Sequence, residues 1–263
     1  MHAFKYHRPS SVNDAAALAK GEARLLAGGQ TLVQAMKLRL SSPSDIIDLG
    51  SIRDLAGIKA SGSEVTVGAM SRHADVANSA DVKRAIPALA ALAGTIGDRQ
   101  VRAMGTLGGS LANNDPAADY SAAVLGLGAT VVTNRRRISA DEFFKGLYET
   151  ALQPGEIITS VSFPVPKRAA YMKFKNQASR FAIVGVFVAE SGSGVRVAVT
   201  GAGPCVFRQK DMEKALSAKF APDSVAGVKQ KADGLNTDLH ASAEYRAHLV
   251  TVMARRAVEA AMK

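Results

Sequence analysis

Read from the N-terminus, the apolar and polar positions fall into short segments whose period alternates between helical and strand-like. Ser11-Val12-Asn13-Asp14 has the Ser-x-x-acid spacing of a helix start, where a hydroxyl and a carboxylate satisfy the first backbone N–H groups. Residues 15–20 continue as helix formers and stop at Gly21. Residues 24–27 read as a buried strand that runs into Gly28-Gly29-Gln30-Thr31, after which Leu32, Met36 and Leu40 recur at helical spacing. Residues 45–49 and 64–68 look like further strands. Ser71 is placed to cap a helix through Val76, and residues 86–93 keep the helical character.

From residue 94 to 119 the pattern breaks into Gly, Thr, Asn, Asp and Pro, longer than most loops in compact domains. Apolar punctuation at Ile96, Val101, Leu107 and Leu111 favours an ordered, functional loop. Residues 120–127 read as a helix, and residues 130–134 as a strand leading to a solvated hairpin tip at Arg135-Arg136-Arg137. Beyond Pro164 and Pro166, residues 171–174, 183–189 and 195–200 read as consecutive strands, the last two joined by a turn at Ser191-Gly192-Ser193-Gly194. Leu249, Val252, Met253, Ala257 and Ala260 mark a long amphipathic helix over residues 244–262. The expected organisation is α+β, with a domain boundary near residues 165–170.

With 47% hydrophobic and 21% charged residues and no low-complexity tract, the 263-residue chain has the composition of a folded globular protein. The +10 formal charge invites a nucleic-acid reading, but the basic residues are scattered, there is no Trp, and no motif interleaves rings with charges. The first residues lack a signal peptide's apolar core, and no apolar run is long enough to span a bilayer, so a cytoplasmic location is expected. A single cysteine, Cys205, cannot form an intrachain disulfide or hold an iron–sulfur cluster by itself. The five histidines show no metal-ligand spacing, and neither Ser110 nor Ser179 sits in a nucleophile elbow.

Two glycine pairs carry the candidate chemistry: Ala27-Gly28-Gly29-Gln30-Thr31 and Thr106-Leu107-Gly108-Gly109-Ser110. Glycine lets main-chain N–H groups converge on an anion without an intervening Cβ, and the adjacent hydroxyls add donors for a pyrophosphate. Neither pair has the G-x-G-x-x-G spacing of a Rossmann turn, and no Walker Lys-Ser/Thr follows.

Together with Met36-Lys37-Leu38-Arg39-Leu40, Ile96-Gly97-Asp98-Arg99-Gln100-Val101-Arg102, Asp115-Pro116 and Asp119, these blocks resemble the FAD-binding medium subunits of molybdenum hydroxylases, the carbon monoxide dehydrogenase and xanthine dehydrogenase family. The resemblance covers essentially the whole chain. It implies a FAD-binding fold of the vanillyl-alcohol oxidase (PCMH) type in two α+β subdomains, 1–60 and 61–168, plus a C-terminal α/β domain, 169–263, like that of the carbon monoxide dehydrogenase flavoprotein. By the same resemblance Leu25, Leu26, Ala27, Gly28, Gly29, Gln30, Thr31 and Leu32, with Thr106, Leu107, Gly108, Gly109 and Ser110, hold the pyrophosphate and adjoining flavin chain. Ile96 and Ile158 line the cofactor, and Asp119 accepts from a ribityl or ribose hydroxyl, unless it caps the helix that follows. Lys175 and Phe181 reach the flavin. Gln30 and Phe181 stand where relatives show His and Tyr, which bears on the choice of electron acceptor.

The implied enzyme is a heterotrimer, expected as a dimer of heterotrimers. A large molybdopterin subunit hydroxylates the substrate, and a small subunit with two [2Fe–2S] clusters relays electrons to FAD in this chain. The rival reading is a self-sufficient flavin oxidase or reductase of the same fold, which needs its own substrate pocket and base.

Overall fold

The computed structural model describes all of residues 1–263, and its strands fall into three successive groups, each with its own principal sheet. The first group comprises β1 (Lys5–His7), α1 (Val12–Leu18), β2 (Arg24–Leu26), α2 (Leu32–Lys37) and β3 (Asp45–Asp48). The helices are crossover connections, so the strands run parallel in the order β1-β3-β2. The Ser11 hydroxyl accepts from the Asp14 N–H at 3.1 Å and starts α1 as expected. Helix α2 stops short of the apolar spacing: Arg39 turns to a φ of 59°, and Leu40 is left 78% exposed. Ala15, Ile47, Leu49, Ile52, Leu55 and Ile157 form a small core beneath this sheet.

The second group runs through β4 (Ile58–Ser61), β5 (Glu64–Gly68), α3 (His73–Asn78), α4 (Ala80–Ala85), α5 (Pro87–Gly94), α6 (Arg99–Met104), α7 (Leu107–Asn113) and α8 (Asp119–Leu127). It continues through β6 (Thr130–Thr133), β7 (Arg137–Ser139), α9 (Ala140–Phe143), β8 (Phe144–Gly146), β9 (Glu149–Thr150) and β10 (Ile158–Pro164). Its main sheet is antiparallel, in the order β4-β5-β10-β6-β7. Val65, Val67, Val131, Val161 and Phe163 are buried in the core that this sheet shares with the helices.

Two expectations fail here for identifiable reasons. The stretch 94–119 is not a loop, because side-chain caps start helices within it: Asp98 Oδ1 accepts from the Val101 N–H, and Thr106 Oγ1 from the Gly109 N–H. The caps and close packing override the poor helix propensity of paired glycines. Ser71 does not cap α3, whose N-cap position falls on Arg72. Its hydroxyl instead lies 3.2 Å from the Gly57 N–H and 3.1 Å from the Gly57 carbonyl.

The third group is an antiparallel meander of β11 (Arg168–Lys175), β12 (Ala182–Ser191), β13 (Gly194–Thr200) and β14 (Phe207–Arg208), with α10 (Lys210–Ala218), α11 (Pro222–Ala226) and α12 (Ala243–Ala261). In β12 the strand period of two sends Val184, Val186 and Val188 toward α10 and α12, and Phe187 and Ala189 into the second group's core. Both faces are covered, which explains the nearly continuous apolar run. Helix α8, with all nine residues buried, lies on this sheet. A Cβ at Gly126 would come within 2.8 Å of the Phe187 ring, so glycine is what lets helix and sheet meet.

The expected solvated hairpin tip at Arg135-Arg136-Arg137 is pinned rather than wholly solvated, and Arg137 already begins β7. Arg136 Nε and Nη2 donate to Glu156, whose side chain is fully buried and also accepts from Thr133 Oγ1 and the Gln153 N–H. The Arg136 guanidinium, aided by these other donors, pulls the Glu156 carboxyl from its ordinary 4.5 down to about 2. Because the folded value is depressed, this pair stabilises the fold above the unfolded-state value, and the contribution disappears as the pH falls through the folded one. Glu156→Gln should lower the unfolding free energy by about 2 kcal/mol at neutral pH. In urea titrations at a series of pH values, the gap between variant and parent should close from 4.5 toward about 2; a gap independent of pH would contradict this account.

Candidate cofactor-binding site

A cavity of about 850 Å³ opens between the first and second groups, with the third group closing part of its mouth. The first group contributes Leu25, Ala27, Gly28, Gly29, Gln30, Thr31 and Leu32. The second contributes Ile96, Thr106, Gly108, Gly109, Ser110, Asp119 and Ile158, and the third contributes Ser179, Arg180 and Phe181. Two segments far apart in sequence thus share one wall.

Three expected residues fall outside the lining. Leu26 points back into the turn, where its Cδ1 would lie 3.4 Å from a Cβ on Gly29. Leu107 is fully buried in the core of the second group. Lys175 is the last residue of β11, follows a register irregularity between Phe174 and Lys175, and is exposed.

The two glycine blocks have different jobs. In the first, the backbone N–H groups of Ala27, Gly28, Gly29, Gln30 and Thr31 find no acceptor within the chain, while the Gly28 carbonyl accepts from Gln30 Nε2 and the Gly29 and Thr31 carbonyls accept from the Val33 and Ala35 N–H groups. Gly29 sits at a φ of +71°, which aims this run of donors at the cavity. In the second block the donors are already engaged: the N–H groups of Leu107, Gly108 and Gly109 go to Ser71 O, Ala69 O and Thr106 Oγ1. Its glycines serve closeness instead. A Cβ on Gly108 would lie 2.6 Å from the Ala69 Cβ, and one on Gly109 would lie 3.3 Å from the Ala27 Cβ, across the junction of the two blocks. Gly109 is helical and needs no positive φ, so a side chain would strain the backbone at Gly29 and not at Gly109.

Asp119 is 4% exposed and is the first residue of α8, one position inside the cap, which falls on Ala118. Its carboxylate is held by the Tyr171 hydroxyl at 2.5 Å and the Lys173 ammonium at 2.9 Å, both on β11. Burial pushes its pKa up, and Lys173 and Tyr171 oppose that shift.

The periodicity gave no sign of His73, Tyr148 or the 153–157 segment, which also line the cavity. His73 is 5% exposed, and its Nδ1 has no partner. Burial, then the Arg102 charge, brings its pKa down to about 4, so the ring is neutral at neutral pH. Tyr148 stands 59% exposed at the tip of the β8–β9 hairpin, at a φ of 55°. Only the Pro154-Gly155 dipeptide, a turn signal whose glycine adopts a φ of +72°, was readable in advance for this part of the wall.

A run of unpaired main-chain donors suits a diphosphate. Leu25, Leu32, Ile96 and Ile158 offer apolar surface, and a buried carboxylate offers an acceptor for a hydroxyl. The residues present therefore fit FAD.

Comparison with known proteins agrees. Residues 2–166 match the FAD binding domain in molybdopterin dehydrogenase, and residues 169–261 match the CO dehydrogenase flavoprotein C-terminal domain. The carbon monoxide dehydrogenase medium chain of Afipia carboxidovorans is 35% identical over 98% of this chain and 96% of its own length. The nicotine 6-hydroxylase medium subunit of Paenarthrobacter nicotinovorans is 36% identical over 97% of this chain and 96% of its own. A chain of the reconstituted CO dehydrogenase from Oligotropha carboxidovorans superposes with a TM-score of 0.91 at 33% identity, over 99% of this chain and 98% of that one. With cavity, fold and sequence in agreement over nearly the full length, the chain belongs to the FAD-binding medium subunits of molybdenum hydroxylases.

Proposed function

We propose that this chain is the electron-relay subunit of a three-component molybdenum hydroxylase. In this reading it takes electrons from [2Fe–2S] clusters of a small subunit and passes them to an external acceptor, while a molybdopterin-bearing large subunit oxidises the substrate. The run of free N–H groups at residues 27–31, facing the inter-group cavity, carries the FAD part of this reading. Cys205 alone cannot ligate a cluster, so the clusters belong to a partner. The working organisation is 1–60 and 61–168 around the cofactor and 169–263 over its flavin end, in a cytoplasmic dimer of heterotrimers. No helix is long and apolar enough to cross a membrane.

Bound here, FAD supplies a group that takes up electrons singly and releases them in pairs. The chain's own residues do the rest. The 27–31 turn neutralises a diphosphate with main-chain dipoles that need no reorganisation. Asp119 fixes a hydroxyl, and the 179–181 loop, with Phe181 48% exposed at the mouth, limits water at the flavin end.

Gly29→Val should weaken FAD binding at least about tenfold with the far-UV circular dichroism preserved, because a branched side chain at positive φ re-aims the donors. A Cβ there would also meet Val33 Cγ2 at 3.0 Å. Flavin content equal to the parent's would remove the turn from the site. For the whole reading, affinity purification from native cells should bring down three polypeptides with flavin, iron and molybdenum. A lone yellow chain that oxidises a substrate with no second polypeptide would establish a self-sufficient flavoprotein instead.

A further inference from the structure

The Lys173 side chain is 5% exposed, does not line the cavity, and spends its ammonium on three separate segments. It lies 3.0 Å from Asp119 Oδ2 on α8, 3.1 Å from the Thr95 carbonyl after α5, and 2.9 Å from the Arg180 carbonyl in the loop between β11 and β12. That loop is otherwise folded on itself, apart from one contact at its start between Asn176 Nδ2 and His240 Nδ1 at 3.3 Å. Asn176 Oδ1 accepts from the N–H groups of Ala178 and Ser179, and the Asn176 N–H donates to Phe181 O. Its other tie across the cavity is the Arg180 guanidinium on the Gly97 carbonyl, at 3.1 Å. Arg180 is held at a φ of 64°, unfavourable for a residue with a side chain, so the loop needs external fixing to keep this shape.

We infer that Lys173 is a positioning residue for the cofactor cavity: from behind the lining it keeps the Asp119 carboxylate ionised and oriented, and it fixes the loop that carries Phe181 across the mouth. The inference rests on the FAD reading above and deepens it. The titratable groups set against Asp119 are Tyr171 and Lys173 on β11 and Tyr120 beside it on α8. His73 and Asp75 of α3 stand beyond Tyr120. Both tyrosines have pKa values raised by burial, and His73 is neutral, so Lys173 is the cation that offsets the desolvation of this carboxylate. Without it, burial favours the protonated acid, which accepts a hydrogen bond from a cofactor hydroxyl more weakly than the anion does.

The test is FAD titration of the full chain, followed by flavin fluorescence, in buffers from mildly acidic to mildly alkaline. The parent should bind with an affinity nearly independent of pH across that range. If the parent binds no FAD, the functional reading fails, independently of Lys173. Lys173→Met should bind roughly tenfold more weakly at neutral pH and tighten as the pH rises and Asp119 ionises. Lys173→Arg should restore the flat profile. The double variant Lys173→Met with Asp119→Asn should bind weakly with no pH dependence, and its neutral pair keeps the test open if the single variant does not fold. Parent-like affinity in the double variant, or a Lys173→Met profile parallel to the parent's, would overturn the inference.

Discussion

A Cβ on Gly28 would lie 2.2 Å from the Met104 carbonyl oxygen and 2.7 Å from the Gly105 Cα, so at this point two stretches of backbone touch with no side chain between them. The cavity wall depends on that approach. It brings the turn after β2 against the link between α6 and α7, leaving the first turn's N–H groups facing the space between the groups while the second block's are consumed in packing. Gly105 repeats the constraint one layer back, where a Cβ would come within 2.5 Å of the His73 ring. A side chain at Gly28 would drive the two groups apart, so a small sequence feature fixes a long-range geometry.

The third group is not an appendage on a hinge. Its central strand sends Phe187 and Ala189 into the core of the second group, and α8 is buried along its whole length between them. The backbone reinforces the packing: the Gly201 N–H donates to the Pro116 carbonyl at 2.7 Å, and the Thr200 hydroxyl lies between the carbonyls of Pro116 and Ala118. The segment leading to Asp119 is thus clamped on the same side from which Lys173 reaches it. Position and charge of that carboxylate follow from one interface.

Much of the architecture was legible because local signals agreed with the fold. The Ser11 cap, the β5 segment, the 191–194 turn and the long α12 all combine a clear period with suitable end residues. The 94–119 stretch misled because its helices are made by capping side chains and close packing, neither of which leaves a period in six or seven residues. At the site, the glycine pairs announced close approach, but pairing alone did not tell donors from packing. That distinction lies in which N–H groups find partners elsewhere, and Ala69 and Ser71 are far away in sequence. Lys175 against Lys173 is a similar case: the strand period would put both on one face, but a register irregularity between Phe174 and Lys175 leaves Lys175 exposed at the strand's end, and motif matching fixes a strand less finely than that.

The core under the first sheet has six buried residues, of which Ile157 comes from the segment lining the far side of the cavity. So small a core leaves this group with little stability of its own. A ligand gripped by the 27–31 turn on one side and by the second group on the other acts as a missing piece of that core, and mass action ties its concentration to the folded population. The order of residues 1–50 would then depend on cofactor supply more than that of the rest of the chain. When supply runs short, quality-control proteases would meet a frayed N-terminal end before any global unfolding, and the abundance of the subunit would track the availability of flavin.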